Sequence, residues 1–233
     1  APWGDINQDY SLNIMDLIGI VDYILFPEVY PFSEGQFTIA DYNRDDNINI
    51  SDLVGLIELM FDRLGREIDI VEEITVYKTT DGLKLESAGF VALDITISHE
   101  SGFTLALIDE ALLSSYRTED KTTRMIIADP ESEILFETAD QFDIEEIIAV
   151  GAGGRDIDVE MILMPTEFTL SPAYPNPFNP VTTLSFALPE ETDISIIIYN
   201  IQGKEIITLT DGVMDAGYHS VIWNANHHSS GLY

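Results

Sequence analysis

The sequence lacks cysteine altogether, has only ten lysines and arginines among its 233 residues, and contains no long apolar run. Without cysteine the chain forms no disulfide and offers no thiolate metal ligand or cysteine nucleophile. Because a membrane-spanning helix needs about 20 mostly apolar residues, we expect no transmembrane segment. The ten basic residues stand against 42 acidic ones, so the net charge is −32. Such a chain repels phosphates, and we expect no nucleic-acid partner but an affinity for divalent cations.

The acidic residues include two copies of one pattern. Residues 5–16 read DINQDYSLNIMD, residues 41–52 read DYNRDDNINISD, and the copies lie 36 positions apart. Calcium takes about six to eight oxygen ligands, which such a loop supplies from positions 1, 3, 5, 7, 9 and 12. A single copy is common in acidic surface loops, but two copies in register predict two calcium sites. The predicted ligands are Asp5, Asn7, Asp9, the Ser11 carbonyl, Asn13 and Asp16 in the first loop, and Asp41, Asn43, Asp45, the Asn47 carbonyl, Asn49 and Asp52 in the second.

Three features of these loops predict how the loops fold. Three carboxylates around one point repel without a cation, so we expect folding here to depend on calcium. Position 6 requires a positive φ angle, which Asp46 tolerates but which costs Tyr10 about 1–2 kcal/mol. Position 8 is apolar in both loops. We expect Leu12 and Ile48 to face each other in a short two-stranded contact.

A helical pattern follows each loop. Apolar residues recur at helical spacing, and they too repeat after 36 positions: Ile14, Leu17, Ile20, Val21, Ile24 and Leu25, then Ile50, Leu53, Leu56, Ile57, Met60 and Phe61. Gly19 and Gly55 correspond inside these helices, where glycine costs about 1 kcal/mol. Close packing of the two helices is the predicted reason. Before the second loop, Pro27, Pro31 and Gly35 are expected to prevent an entering helix.

Two loop-and-helix units with Asp at position 12 resemble a type I dockerin over residues 3–65. The resemblance implies an extracellular module that binds a cohesin-like protein. Two features depart from the family pattern. Tyr10 stands where glycine is usual, and the cohesin-contact positions, often Ser-Thr in the family, are Ile14-Met15 and Ile50-Ser51 here. These positions leave the identity of the partner open.

The pattern changes to alternation after Arg66, and residues 67–165 are expected to form an antiparallel β-sandwich. Strands are predicted at 73–77, 90–97, 103–107, 124–128, 134–137, 144–150 and 159–163, with turns at 80–82 and 151–154 and a short helix or irregular crossing at 106–116. The segment FVALDITI and the late glycine-rich turn are similar to cohesin-like jelly-roll modules over residues 67–164. Helices and sandwich would then dock within one chain or head-to-tail between chains.

No catalytic residue is predicted. Asp143, Glu145 and Glu146 read as a solvated strand edge, and His99 stands alone. The glycines at 151–154 lack the flanking strand, helix and acid of a phosphate-binding loop and predict a turn. We therefore expect a protein that is not an enzyme.

Residues 166–233 carry a second family signature. The segment YPNPFNP opens it, strands are predicted at 183–187, 194–199, 205–209 and 220–223, and SSGLY closes it. These features resemble the C-terminal Ig-like sorting module of type nine secretion substrates, which implies export across an outer membrane. His219, His227 and His228 are assigned to ordinary strand and loop positions rather than to a metal.

The family pattern runs past the final Gly-x-Tyr, whereas this sequence ends at Tyr233. We therefore expect the second sandwich to lack its last strand or strands and to expose an edge. Either the sequence is a truncated or processed form, or another chain supplies the strand, which would build polymers.

The predicted fold is multidomain, α plus all-β: a dockerin-like calcium-binding domain (1–66), a cohesin-like β-sandwich (67–165) and an Ig-like sorting module (166–233). The predicted function is non-catalytic, calcium-dependent protein binding outside the cell or on its outer surface. Two alternatives stand beside it. The chain is the subunit of an extracellular fibre that binds further copies of itself, or it is the non-catalytic tail of a secreted hydrolase.

Overall fold

The computed structural model describes residues 3–233, which form a small helical region followed by a β-rich remainder, as predicted. The helices are α1 (Ile14–Leu25), α2 (Glu34–Ala40) and α3 (Ile50–Leu64). The strands are β1 (Glu73–Lys78), β2 (Gly82–Glu86), β3 (Ala92–His99), β4 (Ala106–Leu107), β5 (Ala111–Glu119), β6 (Thr122–Pro130), β7 (Ile134–Glu137), β8 (Phe142–Gly151), β9 (Arg155–Asp156), β10 (Asp158–Leu163), β11 (Thr169–Leu170), β12 (Val181–Leu188), β13 (Thr192–Tyr199), β14 (Glu205–Met214) and β15 (Gly217–Asn224).

The chain divides into two compact units, one up to Ile162 and one from Leu163 to Tyr233. The predicted boundary after residue 66 lies inside the first unit, because its helices and its sandwich share one core. No helix among residues 3–233 has the length and apolarity needed to cross a membrane.

Helices α1 and α3 begin in the same way. Asn13 precedes α1, its side chain accepts a hydrogen bond from the Met15 N–H, and the Asp16 side chain accepts one from the Asn13 N–H. Asn49 and Asp52 make the equivalent pair at the start of α3. This reciprocal capping satisfies backbone donors that a helix otherwise leaves free. The predicted helices are confirmed.

The structure corrects the expectation that no helix enters the second loop. Helix α2 runs directly into that loop, and its last residue, Ala40, is buried. Ser33 starts it by accepting a hydrogen bond from the Gln36 N–H, while the Gln36 side chain accepts one from the Ser33 N–H. The two prolines lie before this cap, so they place the start of the helix rather than prevent it.

The sandwich of the first unit consists of two five-stranded sheets. One has the order β10-β1-β2-β7-β4 and the other the order β5-β6-β3-β8-β9. Strand β2 is not predicted from the sequence, and residues 106–116, expected to form a helix or irregular crossing, instead contain β4 and the start of β5. Strand β5 pairs with β6 from Ala111 to Glu119. This tertiary pairing decides the conformation of a segment whose own residues alternate poorly.

Both faces of the sheet β5-β6-β3-β8-β9 are covered. Along β6, Met125 and Ile127 point into the core between the two sheets, whereas Ile126 and Ala128 point into a core shared with the helices. Successive side chains of a strand alternate between its faces, so one strand serves both cores. The first unit is therefore three layers deep, with helices on sheet on sheet.

The second unit contains a three-stranded antiparallel sheet, β11-β12-β15, and a two-stranded sheet, β13-β14. The four strands predicted here are confirmed, each with wider bounds. Phe186, Ala187, Leu188 and Trp223 are its buried apolar residues. Phe178 and Tyr233 pack on the Trp223 ring at centroid distances of 5.1 Å and 4.9 Å.

The prediction that Gly19 and Gly55 let the two helices approach is wrong, because each glycine faces its own loop. A Cβ atom at Gly19 would lie 3.3 Å from Ile6, and one at Gly55 would lie 2.2 Å from the Tyr42 ring. Ile6 and Tyr42 both occupy position 2 of their loops. The repeated glycine therefore seats the second residue of each loop against its exit helix.

This difference in clearance gives a test. Gly55→Ala is expected to lower the free energy of unfolding by about 1–3 kcal/mol, because the methyl group displaces the Tyr42 ring. Gly19→Ala is expected to cost under about 1 kcal/mol, since alanine favours the helix and Ile6 gives way by a few tenths of an ångström. Urea unfolding in calcium measures both values, and equal losses would contradict the assignment.

Candidate metal centre

Carboxylates at the first and last positions of each loop lie below the surface. Asp5, Asp16, Asp41 and Asp52 are buried, whereas Asp9 and Asp45, at position 5, are exposed. Among residues 3–233, no lysine or arginine forms an ion pair with these six. Buried charge is costly unless it is paired or coordinates a metal. The oxygen-only donor set fits a hard cation such as calcium.

The second loop brings its carboxylates together most closely. One oxygen each of Asp41, Asp45 and Asp52 lies within 4.8 Å of the others. Among residues 3–233 this is the one group of three acidic or histidine side chains that meets such spacing. The three carboxylates of the first loop, Asp5, Asp9 and Asp16, do not come as close to one another. The second loop is thus the better-formed of the two.

Backbone N–H groups hold these side chains in place. Asp52 accepts hydrogen bonds from Tyr42 (2.8 Å), Asn43 (3.2 Å) and Asn49 (3.0 Å). Its counterpart in the first loop, Asp16, accepts them from Asn7 (3.1 Å) and Asn13 (2.9 Å). At position 1, Asp41 accepts from Asp45 and Asp46, and Asp5 accepts from Asp9 and Tyr10. The repeat in sequence is therefore a repeat in hydrogen bonding.

Burial raises the pKa of the Asp52 carboxyl above its ordinary value. The three N–H donors act against this rise in pKa, and the Asp41 charge adds to it. A divalent ion between Asp41 and Asp52 would favour the ionised form of both.

The asparagines at position 9 have a second role. The Asn13 side-chain oxygen accepts a hydrogen bond from the Met15 N–H (2.9 Å), and the Asn49 oxygen accepts one from the Ser51 N–H (2.7 Å). These predicted ligands are thus helix caps. An amide oxygen has two lone pairs, so the cap leaves one for a cation. Asn7 and Asn43, at position 3, each accept from the N–H two residues on.

The loops use the predicted backbone conformation and one that was missed. Position 6 has φ of 69° at Tyr10 and 64° at Asp46, as expected. Position 4 is also left-handed, with φ of 61° at Gln8 and 62° at Arg44. No glycine marks position 4, so nothing in the residue types indicates this turn. The repeated angles make the two loops alike in shape.

The expected two-stranded contact between Leu12 and Ile48 does not form. Neither residue lies in a strand or isolated bridge, although both pack in the core that the helices share with the sandwich. The carbonyl of Ser11, a predicted ligand, lies 3.4 Å from the Asn13 side-chain nitrogen. Side-chain packing, rather than a backbone ladder, connects the loops.

One stripe of α3, which we call the sandwich-facing stripe, lies on the sheet β5-β6-β3-β8-β9. The Phe61 ring meets Phe90 edge to face at 6.4 Å between centroids, and the Glu58 carboxylate accepts a hydrogen bond from the Gly153 N–H. Val54 lies one turn before Glu58 and is fully buried. The helical region therefore docks within the chain, one of the two arrangements expected from the sequence.

Two arginines of the sheet hold the end of α1. The Arg117 side chain donates to the Leu25 carbonyl (2.7 Å), and Arg124 donates to the Ile24 carbonyl (3.3 Å). Arg124 also binds the buried Asp94 through two hydrogen bonds, of 2.9 Å and 2.6 Å. Cations stabilise the negative end of a helix dipole. Neither contact is predictable from the sequence, since an arginine in a strand gives no signal of what it faces.

Comparison with family models matches two parts of this chain. Residues 3–60 match the dockerin type I domain, and residues 172–233 match the secretion system C-terminal sorting domain. No curated protein matches the chain. The cohesin-like interpretation of residues 67–164 stays a prediction.

The matched families agree with the site. Type I dockerins bind calcium, and dockerins bind cohesin modules. The acidic cluster of the second loop lies inside the matched dockerin segment. The chain therefore carries a type I dockerin domain and a type nine secretion sorting domain, and it is a secreted protein, extracellular or at the cell surface.

Proposed function

We propose that this chain is a non-catalytic assembly protein whose dockerin binds two calcium ions and docks on a cohesin-like β-sandwich of another protein. The observation that carries the proposal is the difference between the two repeated helices. The sandwich-facing stripe of α3 includes Ser51 and Val54, and Val54 is 0% exposed. The positions 36 residues earlier are Met15 and Ile18, which are 57% and 36% exposed.

These α1 residues, together with Ile14, are called the free stripe. Its counterpart on α3 packs against a β-sheet that offers Ala92, Ile126 and Val150 to the helices. Because the two repeated helices are similar, we expect them to pack against similar surfaces. The free stripe therefore suits an antiparallel sheet with an apolar face, which is the surface that a β-sandwich partner presents. Three adjacent exposed apolar side chains on one helix are otherwise unfavourable in water.

A substitution in the free stripe tests this role. Ile18→Asp is expected to weaken binding to a purified cohesin-like module at least about tenfold, because a charge would be desolvated at the contact. Met161→Asp is the matched control, since Met161 in β10 is 39% exposed and lies outside the stripe. Calorimetric titration with and without calcium measures both. A panel of purified cohesin-like modules that all fail to bind the unaltered chain would contradict the proposal.

A further inference from the structure

We propose that the contact between the dockerin helices and the sandwich is exchangeable between copies, so that the α1–α3 region of one chain can dock on the sheet β5-β6-β3-β8-β9 of a second chain. The proposal concerns the sandwich-facing stripe, whereas the proposed function concerns the free stripe on α1. The two therefore fail independently.

The first reason is that both sides of this contact are apolar. On the helical side, Ile50, Val54, Ile57 and Phe61 are buried, and on the sheet side Phe90, Ala92, Ile126 and Val150 are buried. Separation would expose both surfaces to water at once, which is unfavourable for surfaces of this kind. Each surface therefore requires the other, in the same chain or in a second copy.

The second reason is that polar groups around this core fit only one arrangement. Arg117 and Arg124 of the sheet reach the last carbonyls of α1, and Arg117 also pairs with Glu28. At the other side, Glu58 of α3 accepts from the Gly153 N–H. A second copy offers the same groups in the same places. Exchange therefore recreates every contact and needs no new surface.

The third reason is the single connection between the two sides. Residues 66–72 form neither helix nor strand, and they join Gly65, at the end of α3, to β1. This hinge packs closely on the sheet side, since a Cβ at Gly89 would lie 2.9 Å from both Asp69 and Val71. Because this hinge follows one short path, the helices can reach the sheet of their own chain only when the hinge has its full length. Shortening such a hinge favours exchange between copies.

The length of the hinge also predicts the oligomeric state of the unaltered chain. A short connection gives the attached helices an effective concentration in the millimolar range. The contact within one chain therefore prevails at micromolar protein. We expect a monomer under these conditions, with exchange favoured when the hinge is shortened.

Deletion of residues 67–69 tests the proposal. The shortened chain is expected to form dimers or larger species, measured by light scattering after size-exclusion chromatography in calcium. The matched control replaces Glu67, Ile68 and Asp69 by Gly-Ser-Gly, which removes the same side chains at unchanged length, and it should remain monomeric. A monomeric deletion variant would overturn the proposal, as would a control that associates equally.

Exchanging the charges of an ion pair at the contact distinguishes specific docking from the association of misfolded chains. In the shortened background, Arg117→Glu and Glu28→Arg each place like charges together when a chain pairs with its own kind. Mixing the two variants restores opposite charges at both contacts of a mixed dimer. Native mass spectrometry should find mixed dimers several-fold above the statistical share, a modest enrichment because the pair is partly exposed. A statistical distribution would show that another surface associates and would overturn the assignment.

Discussion

A chain carrying Asp52→Asn is expected to bind one calcium ion, whereas we expect the unaltered chain to bind two. Asp52 is fully buried, and its two oxygens accept hydrogen bonds from the N–H groups of Tyr42, Asn43 and Asn49. An amide at this position has one acceptor oxygen and turns a donor toward the remaining N–H group. The substitution thus removes both a ligand charge and the hydrogen bonds that shape the loop.

The expected loss of calcium affinity is large for a change of so few atoms. Leaving a buried donor unsatisfied costs about 1–3 kcal/mol, and the ligand charge is lost in addition. Calcium affinity of the second loop should fall about 100-fold, since every 1.4 kcal/mol is about a factor of ten. Isothermal titration should report one remaining site, formed by the loop that begins at Asp5.

The same loop provides the control. Asp46→Asn removes an equal charge from a residue whose φ is 64°, a conformation that asparagine also tolerates. Its side chain is not a predicted ligand, so affinity should fall only by the long-range effect of one charge, about twofold to threefold. If both substitutions weaken binding equally, Asp52 acts through net charge alone and the proposed coordination is wrong.

Removing calcium with a chelator is expected to unfold the helical region and loosen one sheet of the sandwich. The carboxylate oxygens of the second loop lie within 4.8 Å of one another, and at such separations two unit charges repel by at least about 3 kcal/mol at an effective dielectric constant of about 20. Domains have total stabilities of only about 5–15 kcal/mol, so repulsion in two loops is a large fraction of the whole. The helices, whose first turns contain the predicted ligands Asp16 and Asp52, should then open.

Hydrogen exchange followed by mass spectrometry measures this effect segment by segment. Amides of α1 and α3 should exchange at least about 100-fold faster in chelator. Strands β3 and β6 should follow, about tenfold faster, because the helices cover one of their faces. Strands β1 and β2 lie in the other sheet and should change less.

The second unit serves as the internal control for this experiment. Strand β12 lies in a separate compact unit and should keep its exchange rate. If α3 keeps its protection in chelator, calcium does not hold the helical region together. If β12 and β6 lose protection equally, the chelator acts on the whole chain rather than through the loops.

The sequence was most informative where residues act through local geometry. Two loops in register and their exit helices follow from spacing, because such a loop and a helix each require particular residues at fixed offsets. The positive φ at Tyr10 follows from the same reasoning. Strand β5 could not be predicted, since its pairing with β6 depends on a partner that its own residues do not indicate.

The docking of helices on the sheet was foreseen only as one of two arrangements. Helix α3 is more buried than α1, but its sequence differs from that of α1 only by scattered substitutions, among them Ser51 and Val54, where α1 has Met15 and Ile18. Small differences of this kind do not reveal which helix meets the chain's own sheet. Gly55 makes room for the Tyr42 ring, and this contact could not be predicted from the spacing of residues either.

The unequal exposure of the two repeated helices also has a consequence for how the protein can diverge. A change at Val54 must be matched by a change in the sheet beneath it, so that position is tied to the chain's own interior. A change at Ile18 alters only the surface that the protein presents to a partner. A duplicated module that began with two equivalent sides can thus keep one to hold itself together and use the other to acquire new recognition, without risk to its own folding.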